Sequence, residues 1–482
     1  MASAYSRASP VKKSLLVLGG GLAGIAAASA LSERGYAITL VERHRILGGR
    51  ASAFPHEGGW LDNCQHVLLG CCVNLLHLLQ ALNTRNNITF HKIVPFLANG
   101  KTSTLGPSQC PVPFHFLPAF LKAPLFSLSE KLGVIRLFSK LLWLKENDEQ
   151  LDSLTMLEWL QREHQSKPII DNFWNLILIS TLNETLERTS AKYGIMVLRE
   201  SFLPDREAAL LGVPNVSLTE LYHQAAETLF KERGVKHVQG KASRIAFEER
   251  PKVLLDDGTL LEADELISAL PFYNLLPILP DSVANQPFFS RFRRLEMAPI
   301  LGIHLWFSEK ISDFPFGGLP GSPIHWFFVK PPEGGLHYVQ LVVSACRDLM
   351  SQTNEAIIQL GLTELRKYVP GSRDANLLKA KVVREARATF SPAPGCDAFR
   401  PSQNTPIPHF YLAGDWTDTG WPSTMEGAVR SGYRCAEAVL RTDGVYATLG
   451  EADLKVSRFL SLFPYGKSKG TLSPLTKNPT YA

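Results

Sequence analysis

SLLVLGGGLAGIAAASALSERGYAITLVER, residues 14–43, is the stretch that decides the fold. Leu15 to Leu18 read as a short buried strand, 19–24 as a tight turn, 25–34 as an alanine-rich helix and 37–42 as a second strand. A pyrophosphate needs backbone N–H donors at a helix N-terminus and no side chain in its way, which the spacing Gly19-x-Gly21-x-x-Gly24 supplies. Alone, such a spacing also fits an ordinary glycine turn. Here it follows a strand and opens a helix, and Glu42 ends the next strand near the expected separation of about twenty residues, where a carboxylate can accept ribose hydroxyls. That charge would repel a ribose 2′-phosphate, so NADP is disfavoured.

Further along, ERHRILGGRAS carries Gly48, Gly49 and Arg50, and Tyr411–Asp415 reads YLAGD, followed after Trp416 by TDTGWPSTMEGAVRSG. With Ser268–Pro271 (SALP), these landmarks resemble the FAD-dependent amine oxidase and carotenoid desaturase superfamily. The resemblance implies an α/β fold with a Rossmann-type FAD-binding domain, a mixed sheet-plus-helix substrate domain and a helical lid region. It implies FAD contacts from Gly19, Gly21, Leu22, Ala23 and Gly24 in the first turn, from Glu42, Arg43, Gly48, Gly49 and Arg50 beyond it, and from Val238 and Ala269. At the far end, Gly414, Asp415, Thr424 and Met425 would meet the ribityl chain and the flavin, where a helix N-terminus favours the anionic reduced ring.

WLDNCQHVLLGCC, residues 60–72, resembles one branch, the hydroxysqualene dehydroxylases of hopanoid biosynthesis. Further strings of the same kind are FWNLILISTLNETLERTSA (173–191), HLWF (304–307) and REARATFSPAPG (384–395), and the resemblance spans about residues 12–442. Cys64 departs from it, standing where that branch carries glycine. The implied reaction is reductive removal of the hydroxyl of hydroxysqualene to give squalene, with hydride from reduced FAD and a squalene-synthase-like enzyme as functional partner. Hydroxide leaves poorly, so a general acid must protonate it while an allylic cation is stabilised. His66, Asp62 and Glu426 are the candidates, His66 first because an imidazole of ordinary pKa carries a proton near neutrality. Structural alternatives stay open for all three: a donor role for His66, loop fixation by Asp62, helix capping by Glu426. An oxidative polyene desaturase or isomerase using the same flavin, and a non-catalytic flavin-bound isoprenoid carrier, are the competing readings.

A thirty-carbon isoprenoid offers almost no polar handle, so its site must be a long apolar tunnel. Phe173, Trp174, Trp306 and Trp326 are the expected wall, joined by Phe114, Phe116, Phe120 and Phe126. Such a substrate resides in a bilayer. Residues 113–144, with Phe and Leu beside Lys122, Lys131, Arg136 and Lys140, read as a surface for peripheral contact with an anionic inner leaflet, or as an amphipathic helix packed on its own core.

The bulk numbers agree with an enzyme-sized globular chain: 482 residues, 45% hydrophobic, 20% charged. A net charge of +5 without dense basic runs excludes nucleic acid as a partner. Seven cysteines without a CxxC predict neither zinc nor dithiol chemistry, hence no metal and a reduced, cytoplasmic setting. The leader MASAYSRASPVKK lacks a signal-peptide pattern, and no stretch reaches the roughly 18 apolar residues of a membrane span.

The organisation expected is a FAD-binding domain in three segments, 12–106, 225–275 and 395–445. A helical substrate or lid region at 107–224 and a mixed α/β substrate region at 276–394 interrupt it, and 446–482 form a tail, poorly ordered beyond Phe463.

Overall fold

A run of apolar side chains buried on both faces needs packed layers on either side of its sheet, and Leu15–Leu18 are such a run, none of them more than 2% exposed. The computed structural model describes residues 13–57, 59–98, 100–145 and 149–468. In it Ser14–Leu18 is the centre of a five-stranded parallel sheet, ordered Lys236–Gln239, Ala37–Glu42, Ser14–Leu18, Glu265–Ser268, Phe410–Leu412. The fold class is therefore α/β with a Rossmann-type sheet, drawn from both ends and the middle of the sequence. Helix Leu22–Ser32 starts at the turn itself, ahead of the expected 25, because Gly21 takes the extended N-cap conformation. The closing helix Met425–Thr442 packs on it so tightly that a Cβ at Gly432 would lie 2.3 Å from the Ala23 carbonyl oxygen.

The second large sheet has seven strands, ordered Leu377–Phe390, Met297–Phe307, His337–Ser344, Trp326–Val329, Phe316–Gly318, Val94–Ala98, Lys101–Leu105. The sequence reading assigns no strand to Leu377–Phe390, whose Lys, Arg, Glu and Ala content suits a helix. Its antiparallel pairing along almost the whole of Met297–Phe307 overrides that local preference.

Helices Leu128–Trp143 and Met156–Arg162 start where capping boxes place them, Ser127 with Glu130 and Thr155 with Glu158. With 167–182 and Ala191–Phe202 they form an apolar core that meets the second sheet at Phe96, Leu105, Trp326 and Phe390. The expected disorder beyond Phe463 is corrected for Pro464–Ser468, which is helical and buries Tyr465 beneath the Arg199 guanidinium. The leader 1–12 and the tail 469–482 lie outside the described residues. Among the described residues no helix is long and apolar enough to cross a membrane, and no cluster of His, Cys, Asp and Glu is arranged to hold a metal ion.

Candidate active site

One cavity of about 1660 Å³ runs from the glycine turns of the parallel sheet into the helical region beside the second sheet. Ligand sites commonly span ~300–1,000 Å³, so this one has room for a cofactor and a second molecule.

The cofactor arm is built by the first turn. Gly24 has to be glycine because a Cβ there would stand 1.9 Å from the Gly19 carbonyl oxygen, closing the gap between helix and turn. Gly20 N–H donates to Glu42 Oε2 at 2.7 Å and His44 N–H donates to Oε1 at 3.0 Å, so the carboxylate is fixed on the cavity wall with lone pairs to spare. The second turn docks on the first, with Gly48 N–H donating to the Gly20 carbonyl at 2.8 Å, and its φ of +114° suits only glycine. A Cβ at Gly21 would project between the two turns, where its nearest neighbour is Gly49 Cα at 3.9 Å. This cradle, open only because the side chain is absent, fits a dinucleotide pyrophosphate.

Arg50 links the two ends of the chain. It donates to the Ala388 carbonyl at 2.7 Å and pairs with Asp415, whose other oxygen accepts from Ser423. Gly414 N–H donates to Ser431 Oγ at 2.7 Å, and Thr424 caps the closing helix through Gly427 N–H at 3.0 Å, so that its N-terminus faces the cavity. The sequence reading missed Arg400. Its buried guanidinium donates to the Thr417 and Trp421 carbonyls at 2.6 and 2.8 Å and ties down the loop after Asp415.

Val238 is corrected. It is strand-paired with Val41 and off the cavity wall, which passes instead through Gly240–Ser243. The other expected cofactor residues, Leu22, Ala23, Arg43, Gly49, Ala269 and Met425 included, line the cavity, except Gly24, which packs behind the turn.

Segment 60–72 carries the wall from the cofactor arm into an apolar arm lined by Phe96, Phe116, Ile177, Met196, Trp326 and Phe328. Of the four aromatic residues expected as substrate contacts, Trp326 lines the arm, its Nε1–H donating to Ser180 Oγ at 2.7 Å. The other three are corrected to core. Phe173 packs against Phe120 and Phe126, Trp174 Nε1–H donates to Gln165 Oε1 at 3.0 Å, and Trp306 is sealed between Tyr338 and Lys379 with its Nε1–H on Glu333. Big apolar side chains bury whether or not a ligand passes, so their identity alone does not mark a tunnel.

The three candidate acids are differently placed. Glu426 accepts from the N–H groups of Asn74 and Leu75 and from Arg430 Nε at 3.2, 2.7 and 2.6 Å. It therefore caps helix Val73–Ala81 rather than its own. Asp62 lies behind the wall, accepting from Leu218 N–H at 2.9 Å with Lys330 Nζ 3.5 Å away. Burial raises its pKa against the opposing pull of Lys330. His66 does line the cavity, but burial, reinforced by Lys330 and Arg50, lowers its pKa to about 4. The expectation that it is protonated near neutrality is thus corrected: the ring is neutral.

The profile of the family described as "Flavin containing amine oxidoreductase" matches residues 22–440. The chain is 26% identical over 462 residues to the 15-cis-phytoene desaturase of Glycine max, covering 91% of this chain and 81% of that one. It is 25% identical over 460 residues to the 15-cis-phytoene desaturase of Synechococcus elongatus, covering 88% and 95%. Among solved structures, an oxidoreductase from Methanosarcina mazei superposes with a TM-score of 0.68 at 17% identity, covering 89% of this chain and all of that one, a likeness of fold.

Proposed function

The chain belongs to the flavin containing amine oxidoreductase family, and on that premise we propose that it is an FAD-dependent desaturase of a long-chain isoprenoid, withdrawing hydride from an allylic carbon to extend a polyene. That it is a flavin-dependent oxidoreductase follows from the family, and FAD is its cofactor. The desaturase reading is carried by the joining of a dinucleotide cradle to a long arm walled by aliphatic and aromatic side chains. The phytoene desaturases among its relatives support the same direction of chemistry.

Bound FAD supplies the two-electron, hydride-accepting centre. The protein's part is to bind, orient and exclude water. The two glycine turns would hold the pyrophosphate, Glu42 would take the ribose hydroxyls, and Arg50 with Asp415 would fix the middle of the cofactor between the first and last segments of the chain. At about 25 cal/mol per Å² of buried apolar surface, the apolar arm can hold an isoprenoid without hydrogen bonds. The exposed side chains Phe114, Leu121, Leu128, Leu132, Trp143 and Leu462, near Lys122 and Lys145, are where such a substrate would be drawn from a bilayer.

The test is anaerobic mixing of the FAD-loaded protein with phytoene. The expected result is bleaching of the flavin band and a product short of two hydrogens by mass spectrometry; an unchanged flavin and intact phytoene would overturn the reading.

A second reading, reductive dehydroxylation of hydroxysqualene to squalene, is favoured by the imidazole of His66 in the cavity wall, a polar group that a hydrocarbon does not need. Its alcohol would come from a squalene-synthase-like enzyme. Dithionite-reduced protein that turns hydroxysqualene into squalene while its flavin reoxidises would establish this reading over the first.

A further inference from the structure

Backbone groups fix the protons of Asn63 and His66. Asn63 Nδ2 donates to the Arg50 carbonyl, and Asn63 Oδ1 accepts from Cys64 N–H at 2.8 Å. A backbone carbonyl only accepts and a backbone N–H only donates, so the amide cannot be turned round. Its oxygen stands 3.1 Å from His66 Nε2, which must then carry the ring proton. Nδ1 is left with the lone pair. It makes no hydrogen bond among the described residues and is not one of the sealed polar atoms, while the ring itself lines the cavity. The position is apt, since Asn63 is tied to Arg50 of the cofactor arm and Val67–Leu69 continue into the apolar arm.

We propose that Asn63 is a positioning residue that locks His66 as its Nε2–H tautomer, and that His66 Nδ1 accepts the proton lost by the substrate in desaturation. The proposal rests on the desaturase reading. One substrate C–H bond breaks with its electron pair, the hydride passing to the bound oxidised flavin. Hydride transfer is uphill and reverts unless the C–H bond on the adjacent carbon breaks, its proton forming an N–H bond at Nδ1 and its electron pair becoming the new C=C, so net flavin reduction waits on the proton acceptor. The substrate loses two electrons and the flavin gains them. The resulting imidazolium returns its proton to water as product leaves.

A neutral ring is what this role requires, and the burial that keeps His66 neutral also makes it a weak base. Weakness is tolerable because a C–H bond beside a carbocation is strongly acidic. The same geometry gives Nδ1 no proton to offer a departing hydroxide.

The experiment uses FAD-loaded wild type, His66→Ala, His66→Gln and Asn63→Ala in single-turnover flavin reduction by phytoene, with ¹⁵N NMR of histidine-labelled protein, the His66 signals assigned by their loss in His66→Gln. Both His66 variants should keep the bound-flavin spectrum yet reduce it about 10²–10⁴-fold more slowly, His66→Ala regaining rate with added imidazole. Asn63→Ala should slow reduction less and show His66 in both tautomers, where wild type shows Nε2–H alone. Wild-type rates in both His66 variants, or an Nδ1–H tautomer in wild type, would overturn the proposal while leaving the desaturase reading standing. Wild-type flavin that phytoene does not bleach would overturn that reading and the acceptor role with it, the NMR still deciding the tautomer lock.

Discussion

Glu426, at the start of the closing helix, accepts a hydrogen bond of 2.7 Å from the backbone N–H of Leu75, 351 residues earlier in the chain. The carboxylate is fully buried and also takes Arg430 Nε, so it joins the wall at Cys71 and Cys72 to the helix that faces the cofactor. Removing one partner of such a pair strands the other charge, at a cost of about 3–5 kcal/mol. Glu426→Ala should therefore lower the unfolding midpoint in urea strongly, and Glu426→Gln, which keeps a carbonyl oxygen, by less. A proton-donor role would give the opposite pattern, with turnover lost in Glu426→Gln and the midpoint unmoved.

The tight approach of the first helix to its turn gives a second expectation. Gly24→Ala places a methyl group 1.9 Å from the Gly19 carbonyl oxygen, so helix and turn must separate. Overpacking of this kind costs about 1–3 kcal/mol. The strain falls on the pyrophosphate cradle, so the variant should purify with little flavin, read from the ratio of visible to ultraviolet absorbance. Full flavin content would show that the turn has slack the geometry denies.

Acid should destabilise the protein early. Burial lowers the pKa of His66 and His325 to about 4 and that of His304 to about 3, from an ordinary value of 6.5. Between those limits the unfolded chain binds more protons than the folded one, so stability is fully present above pH 6.5 and is lost as pH falls towards 4. For the fully buried His304 the slope approaches ~1.4 kcal/mol per pH unit. Melting temperatures measured from pH 7.5 down to 4.5 should drop across this window, and His304→Gln should flatten the drop. An identical slope in the variant would remove His304 from the account.

A chain of ring contacts runs Phe114, Phe459, Phe463, Trp143 on the outer surface, joining the helical region to the C-terminal helix. Exposed aromatic and leucine side chains beside lysines suit the interface of an anionic bilayer. Cosedimentation with vesicles containing phosphatidylglycerol should retain the wild type and release a Leu128→Ser, Trp143→Ser double variant by roughly tenfold. Equal retention of both would place the entry of the substrate elsewhere.

Much of the cofactor arm was legible in the sequence because backbone geometry dictates it. Gly19, Gly24 and Gly48 occupy turns where a side chain would collide or the dihedral would strain, and those constraints are written in residue identity at fixed spacing. For Val238, off the cavity wall, the sequence gives little guidance, because a strand-end contact made through the backbone leaves no mark on the side chain. The substrate arm was poorly legible for a different reason. Phe173 and Trp174 are chemically indistinguishable from Phe116 and Trp326, and only packing decides which face the cavity. The ionisation of His66 and the partners of Glu426 depend on residues hundreds of positions away, beyond any local pattern.

The central parallel sheet takes strands from 14–18, 37–42, 236–239, 265–268 and 410–412. During synthesis, then, the N-terminal pair must wait without its partners while some two hundred residues emerge, and the edge strand 410–412 is the last of the five to be made. Pairings of such long sequence separation are slow to form and leave apolar strand edges exposed meanwhile. The cofactor has no finished seat until the segment carrying Gly414 and Ser431 has joined the first two strands, so flavin loading waits on the last-made part of the sheet.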